Sequence, residues 1–419
     1  MPSTPDSRPS PLRRLVRLAR RPLERFLRIE AASGIVLLAA AALALAWANG
    51  PLGASYAHLW HAPIALHAGA WAFVRPLEWF VNDGLMTVFF FLVGLEIRRE
   101  VHQGELSEWR RAALPVAAAL GGMIVPAAIY LKLAGGPATR AGWGVPMATD
   151  IAFALGVLAL LGKRVPAALR VLLLALAVID DLGAIVVIAA FYSNGVRVAG
   201  LAFAALGVLV ILALRRAGIR SKPAYVPAAL AVWAGTYASG VHPTIAGVVV
   251  GALTPVEAAA GEEESPAESL IEALHPWAAY VIMPIFALAN AGVVVGHGNL
   301  HAPAALGVVA GLVVGKPVGV LLASVLTLRL GVATLPVGIR LRHLVVLGAV
   351  AGIGFTMSLF VAQLAFADAA LLASAKLAIL VASTIAALAA LGLGALLLPQ
   401  RVEAGAAASA DEAEASTEV

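Results

Sequence analysis

Apolar runs as long as a membrane is thick recur from one end of this chain to the other, and no other feature so narrows what it can fold into. A helix needs roughly 20 residues to cross about 30 Å of hydrocarbon. Runs of this kind lie near residues 31–48, 79–97, 113–134, 143–162, 167–192, 198–214, 223–238, 243–254, 274–296, 303–328, 343–367 and 370–398. In lipid the backbone must satisfy its own polar groups, so each run reads as a helix. The expected fold class is an all-α polytopic membrane protein of about twelve transmembrane helices. Composition agrees: 61% of the 419 residues are hydrophobic and 13% charged, and mean hydropathy is +0.92. A soluble domain carries about 25% charged residues, so an ordinary water-soluble enzyme is excluded.

The basic residues are sorted by loop, which gives orientation rather than a nucleic-acid partner. Arg8, Arg13, Arg14, Arg17, Arg20, Arg21, Arg25 and Arg28 precede the first span. With twelve spans they share a side with the basic loops Arg98 to Arg111, Lys163 to Arg170, Arg215 to Lys222 and Arg329 to Arg342. The other side is assigned Arg75, Lys132, Arg140, Arg197 and Lys376. The seventh and eighth spans are short, and Gly240 and Pro243 interrupt them; as one long helix they would put Arg329, Arg340 and Arg342 outside, against the positive-inside rule. Two spans are therefore expected, with both termini cytoplasmic. Residues 1–30 read as a basic cytoplasmic segment followed by a retained span, since the apolar run is too long for a signal peptide. Residues 31–398 are expected to form a single twelve-span membrane domain. Residues 399–419, rich in Ala and Glu, are expected to be a disordered cytoplasmic tail. The absence of cysteine removes disulfides and thiolate chemistry.

A few ionisable residues fall inside spans, where each costs at least ~2.5 kcal/mol unless paired or hydrated. They are Asp83, Glu96, Asp150, Asp180, Asp181 and Lys316. Asp83, at a span start, reads first as a helix cap. Glu96 lies one turn from Arg99 and Glu100, where an interfacial ion pair is as natural as a functional role. Asp180 and Asp181 admit no such reading: they are adjacent, in mid-span, far from any loop. Adjacent side chains on a helix point about 100° apart, so one carboxylate can face a cavity and the other a partner helix. Carboxylate oxygens are hard ligands for alkali cations, and like charge with desolvation brings a proton into competition for them. That competition is the chemistry of an antiporter. Lys316, buried in mid-span, needs a carboxylate or a helix C-terminus beside it.

Two spans are interrupted. The fourth holds Pro146, Thr149 and Asp150, and the eleventh holds Gly352-Ile353-Gly354-Phe355-Thr356-Met357-Ser358. Broken helices at membrane depth are tolerated where they line a cavity or pack in protein. The fourth is the middle of spans three to five, near 113–192, and the eleventh the middle of spans ten to twelve, near 303–398. They lie seven spans apart, an odd number, so the triplets point in opposite directions. Two inverted three-helix repeats with discontinuous helices crossing at the midplane are expected.

The motifs Asn82-Asp83-Gly84-Leu85-Met86, Gly94-Leu95-Glu96, Ala148-Thr149-Asp150-Ile151-Ala152-Phe153 and Ile179-Asp180-Asp181-Leu182-Gly183-Ala184 resemble those of the NhaA family of bacterial sodium/proton antiporters. So do Ser239-Gly240-Val241-His242, His275-Pro276-Trp277, Gly315-Lys316-Pro317 and Gly352 to Ser358. The resemblance covers roughly residues 25–398. The family is itself a known case of inverted repeats, so repeat layout and resemblance are one argument.

The resemblance implies that Asp181 is the principal ligand of the transported Na+ or Li+, with Asp180 and Thr149 nearby. It implies that Asp180 pairs with Lys316 when no cation is bound, and that Asp150 and Lys316 offset the helix ends at the breaks. It assigns Glu96, Arg99, Glu100, His242 and His275 to the pH response, and residues 49–76 to an extracytoplasmic hairpin contributing to a homodimer. Glu268, Ser269, Ile271 and Glu272, just before His275, depart from the family's pattern.

The reading is thus of an electrogenic, pH-regulated antiporter in the bacterial inner membrane, extruding sodium or lithium for external protons. It is not an enzyme and uses no cofactor; its partners are the lipid bilayer, the transported ions, a second copy of itself and no nucleic acid. A sodium-coupled solute symporter would need an organic substrate pocket. An intramembrane aspartyl protease places its aspartates on separate helices, and no His-Glu-x-x-His motif stands in the chain.

Overall fold

The computed structural model describes residues 32–68, 71–193, 195–219, 221–258 and 264–399. The basic first thirty residues and the acidic tail fall outside these. The described chain is mostly helical: α1 (Ala32–Asn49), α2 (Gly53–His61), α3 (Leu77–Gln103), α4 (Trp109–Ala134), α5 (Arg140–Met147, a 3-10 helix), α6 (Ile151–Leu160), α7 (Ala167–Phe191), α8 (Val198–Arg216), α9 (Lys222–Ser239), α10 (Thr244–Leu253), α11 (Pro266–Asn290), α12 (Pro303–Arg329), α13 (Leu341–Ala351), α14 (Phe355–Ala365) and α15 (Ala369–Leu397). Among the described residues, eight helices are long and apolar enough to cross a membrane. The bent pairs α5/α6 (41°) and α13/α14 (47°) raise the number to ten. α9 and α10 stand outside this count. They are two helices rather than one, because Gly240 takes φ 83, a left-handed conformation that ends α9.

Prolines shape two of the long helices. A proline removes a helical donor and presses on the carbonyl four residues earlier, so a widened turn before it relieves the clash. π-helical turns at Ala278–Ile282 and Gly311–Gly315 stand just before Pro284 and Pro317. The second of these turns leads directly into Lys316.

Between α2 and α3, strands β1 (Pro63–Ala68) and β2 (Trp71–Pro76) form an antiparallel hairpin with Ile64 opposite Arg75. It is anchored on α9: Arg75 Nη2 donates to the Tyr237 hydroxyl at 2.5 Å, and Phe73 meets Trp79 and Tyr237 edge to face. On α2, the Tyr56 hydroxyl reaches the Leu288 and Ala289 carbonyls at 2.9 and 2.8 Å, satisfying the end of α11. Burial pushes the Tyr56 phenol above its ordinary value.

α4 and α12 cross at contact distance, because Gly121 and Gly319 face each other's backbone with no room for a Cβ. That approach lays the Lys316 stem beside Gly122, where a Cβ would stand 3.8 Å from Lys316 Cγ and Cε. Lys376, assigned to a loop by its charge, lies instead inside α15, about two turns from its start.

Candidate cation site at the crossing of two broken helices

Each break leaves helix ends in the protein interior, whose N–H and C=O groups need partners away from water. Asp150 serves two of them. As N-cap of α6, its Oδ1 accepts the Phe153 N–H at 2.9 Å; its Oδ2 accepts the Thr356 N–H of α14 at 3.1 Å and the Thr356 hydroxyl. One carboxylate thus faces the positive ends of both half-helices. The breaks are also joined directly. The Asp150 N–H donates to the Ile353 carbonyl at 2.8 Å, and the Ser358 hydroxyl to the Val145 carbonyl at 2.8 Å. Phe153 and Phe355 pack edge to face beside the junction.

The opposite kind of end, the C-terminus of α5, receives a cation: Lys316 Nζ donates to the Met147 carbonyl. The same ammonium meets Asp180 Oδ2 at 2.5 Å, with both side chains 0% exposed. The Thr149 hydroxyl stands 2.6 Å from Asp180 Oδ2 and 3.0 Å from the Ala351 carbonyl; with one proton it donates to one of them at a time.

Asp180 Oδ1 and both oxygens of Asp181 are buried without a hydrogen-bond partner. Buried carboxylate oxygens are costly to leave so, and three together are an arrangement that a hard cation or protons would satisfy. Glu96 of α3 and Asp150 also lie within electrostatic range of Asp181. The site therefore gathers several carboxylates around one ammonium. Among the described residues no cluster of three or more metal-ligating side chains of the resident-metal kind occurs.

Asp180, Asp181, Thr149, Asp150 and Lys316 are thus brought together, and Glu96 acts on Asp181 electrostatically. His242 is elsewhere, in the turn between α9 and α10. Its Nε2 is 3.4 Å from Asp83 Oδ1, its Nδ1 2.9 Å from the Thr244 hydroxyl, and its ring lies against Phe360. Asp83 is no helix cap, since it lies inside the π-helical turn Phe80–Leu85 of α3, and its side chain meets a histidine more than 150 residues away. Arg99 and Glu100 continue α3 beyond Glu96, and His275 stands on α11. Glu268 is engaged in a capping box, with Ser265 at the start of α11, and Ser269 Oγ receives the Lys222 ammonium at 2.7 Å.

Sequence reasoning missed an amide chain across three helices. Asn290 Nδ2 donates to Asn82 Oδ1 at 2.8 Å, and Gln363 Nε2 donates to Asn290 Oδ1. Amides inside apolar spans were the available signal. A groove of about 860 Å³ lies between α3, α8, α9, α10 and α11, and none of the five gathered residues lines it.

The sequence model of the family described as Na+/H+ antiporter 1 matches residues 24–394. A Na+/H+ antiporter NhaA 2 of Myxococcus xanthus is 58% identical over 97% of this chain and 96% of its own length. One of Sorangium cellulosum is 54% identical over 97% of each. A Na+/H+ antiporter NhaA of Bordetella petrii is 48% identical over 84% of this chain and 86% of its own. With its apolar helices, these bacterial relatives make the chain a multi-pass bacterial membrane protein.

Proposed function

This chain belongs to the Na+/H+ antiporter 1 family, a family of transporters and not of enzymes, and on that premise we propose that it exchanges sodium or lithium for protons across the bacterial inner membrane. The observation that carries the reading is the set of unpartnered oxygens on Asp180 and Asp181 beside a buried ammonium. Asp181, with both oxygens free, is the principal ligand; Asp180 and Thr149 complete the polar lining. Na+ or Li+ is cargo here, and no resident cofactor is needed.

The exchange follows from charge balance. Asp180 and Lys316 neutralise each other, so an arriving cation supplies the positive charge that Lys316 had supplied to Asp180. The two aspartates and the lysine then hold more positive charge than the dry site favours, and protons leave. Return of protons to the same groups expels the cation. More than one proton per sodium makes the cycle electrogenic. Asp150 holds the half-helices in place throughout, because its two oxygens serve both N-termini.

The finer architecture belongs to the same proposal. α9 and α10 complete twelve spans, and 113–192 and 303–398 are inverted repeats whose middle members cross at the midplane. Both termini are cytoplasmic, and the β1–β2 hairpin contributes to a homodimer. Glu96, Arg99, Glu100, His242 and His275 carry the pH response.

The test is proton movement on adding sodium to everted vesicles without any organic solute. Alkalinisation of the lumen on adding sodium, protons leaving as the cation enters, supports the reading, and acidification would contradict antiport. A requirement for an organic solute would favour a symporter instead, and the absence of any sodium-dependent proton flux would overturn exchange.

A further inference from the structure

The start of α14 is a helix N-terminus inside the protein, and its first N–H groups must find acceptors on other elements. The Thr356 N–H uses Asp150. The Phe355 N–H donates instead to Ser383 Oγ of α15 at 3.0 Å. Ser383 is 1% exposed, so no water competes for that bond. A second contact sets the same face of α15 against the break: a Cβ on Gly352 would stand 3.4 Å from Ala386 Cβ. Residues three apart share a helix face, so Ser383 and Ala386 together cradle Gly352 to Phe355. α15 is unbroken over Ala369–Leu397, so both contacts come from one continuous helix.

The break in turn carries groups of the cation site. The Ala351 carbonyl is 3.0 Å from the Thr149 hydroxyl, which is 2.6 Å from Asp180 Oδ2. The Ile353 carbonyl takes the Asp150 N–H at 2.8 Å. Phe355 lies four residues after Ala351 and two after Ile353 in one short interruption, so a shift at Phe355 is passed along that segment to these carbonyls.

We propose that Ser383 is a positioning residue for the cation site: by accepting the Phe355 N–H it sets the height of the break, and through Ala351 and Thr149 the placement of Asp180. A neutral hydroxyl suits the task, since a second carboxylate there would repel Asp150 at low dielectric.

The role rests on sodium/proton exchange by this chain, so wild-type exchange in everted vesicles is the first measurement. Ser383→Ala leaves the Phe355 N–H without an acceptor. It is expected to raise the half-saturating sodium concentration about three- to tenfold, the scale of one hydrogen bond, with the maximal rate little changed. The pair Ser383→Thr and Ser383→Val has one shape and differs only in the hydroxyl, so it decides the matter even if the alanine variant does not fold. Thr is expected to keep the wild-type half-saturation and Val to raise it. Equal half-saturation in the Thr and Val variants, or a loss of maximal rate alone, overturns the positioning role while leaving exchange intact. Absence of exchange in the wild type overturns the reaction and this role with it.

Discussion

Lys316 Nζ lies 2.5 Å from Asp180 Oδ2 with neither side chain exposed, and the same ammonium closes the C-terminal end of α5 through the Met147 carbonyl. One residue of α12 thereby holds a carboxylate of α7 and a backbone end of a broken helix together.

Removing that ammonium should be costly to the fold. Lys316→Met leaves Asp180 buried and unpaired, and breaking one side of a buried pair typically destabilises by ~3–5 kcal/mol. Asp180→Asn together with Lys316→Met removes both charges and should recover most of the loss without restoring transport. Thermal unfolding of the wild type, Lys316→Met, Asp180→Asn and the double variant in detergent measures the coupling; additive losses would mean that the two charges do not stabilise each other.

Asp181 has no comparable structural partner, since both of its oxygens are unpartnered. Asp181→Asn should therefore leave stability at or above wild type while abolishing exchange, because an amide lacks both the charge and the titratable proton. Vesicle exchange and a melting curve on the same preparation check this. Exchange at a normal rate in Asp181→Asn would remove Asp181 from the site.

Asp150 is expected to behave as a double cap. Asp150→Ala strands the Phe153 and Thr356 N–H groups, a loss of ~1–3 kcal/mol for each buried donor. Asp150→Asn keeps one acceptor oxygen and should fall between alanine and wild type. Unfolding midpoints in the order wild type, Asn, Ala are predicted, and equal midpoints for Asn and Ala would contradict the double cap.

Tyr56 offers a pH-dependent prediction away from the spans. Burial raises its phenol above the ordinary value of 10.0. A raised native value means a contribution fully present below about pH 10, the unfolded value, and lost as pH climbs through the native one. Tyr56→Phe should lower stability by roughly 1 kcal/mol at neutral pH, since its hydroxyl no longer reaches Leu288 and Ala289. The gap between Tyr56→Phe and wild type should narrow only in alkali; a gap that closes between pH 6 and 8 would contradict the assignment.

Much of the molecule could be read along the chain. Membrane-length apolar runs are a local property, so the long helices emerge from hydropathy alone, and charges inside them are conspicuous because lipid makes them costly. Asp150, Asp180, Asp181 and Lys316 were legible for that reason, and Pro146 and the Gly352-Gly354 pair marked the two breaks. Gly240, which interrupts the apolar run there, marked the end of α9, where it takes a left-handed turn before α10.

Contacts between distant residues were decided only in the tertiary structure. Whether Asp83 caps a helix or meets His242 depends on how α3 packs against the α9–α10 turn, and nothing near Asp83 in sequence states it. Asn82 and Asn290 are 208 positions apart, and Ser383 lies in a run of small residues typical of any membrane helix. A serine in a helix can always bond its own preceding turn, so its presence does not announce a distant partner. The sequence by itself determined which segments enter the membrane and which charges must be compensated there, because solvation cost is set residue by residue. Packing decided which partner compensates which charge and which three carboxylate oxygens are left without a hydrogen-bond partner, because that depends on where helices far apart in the chain come to cross.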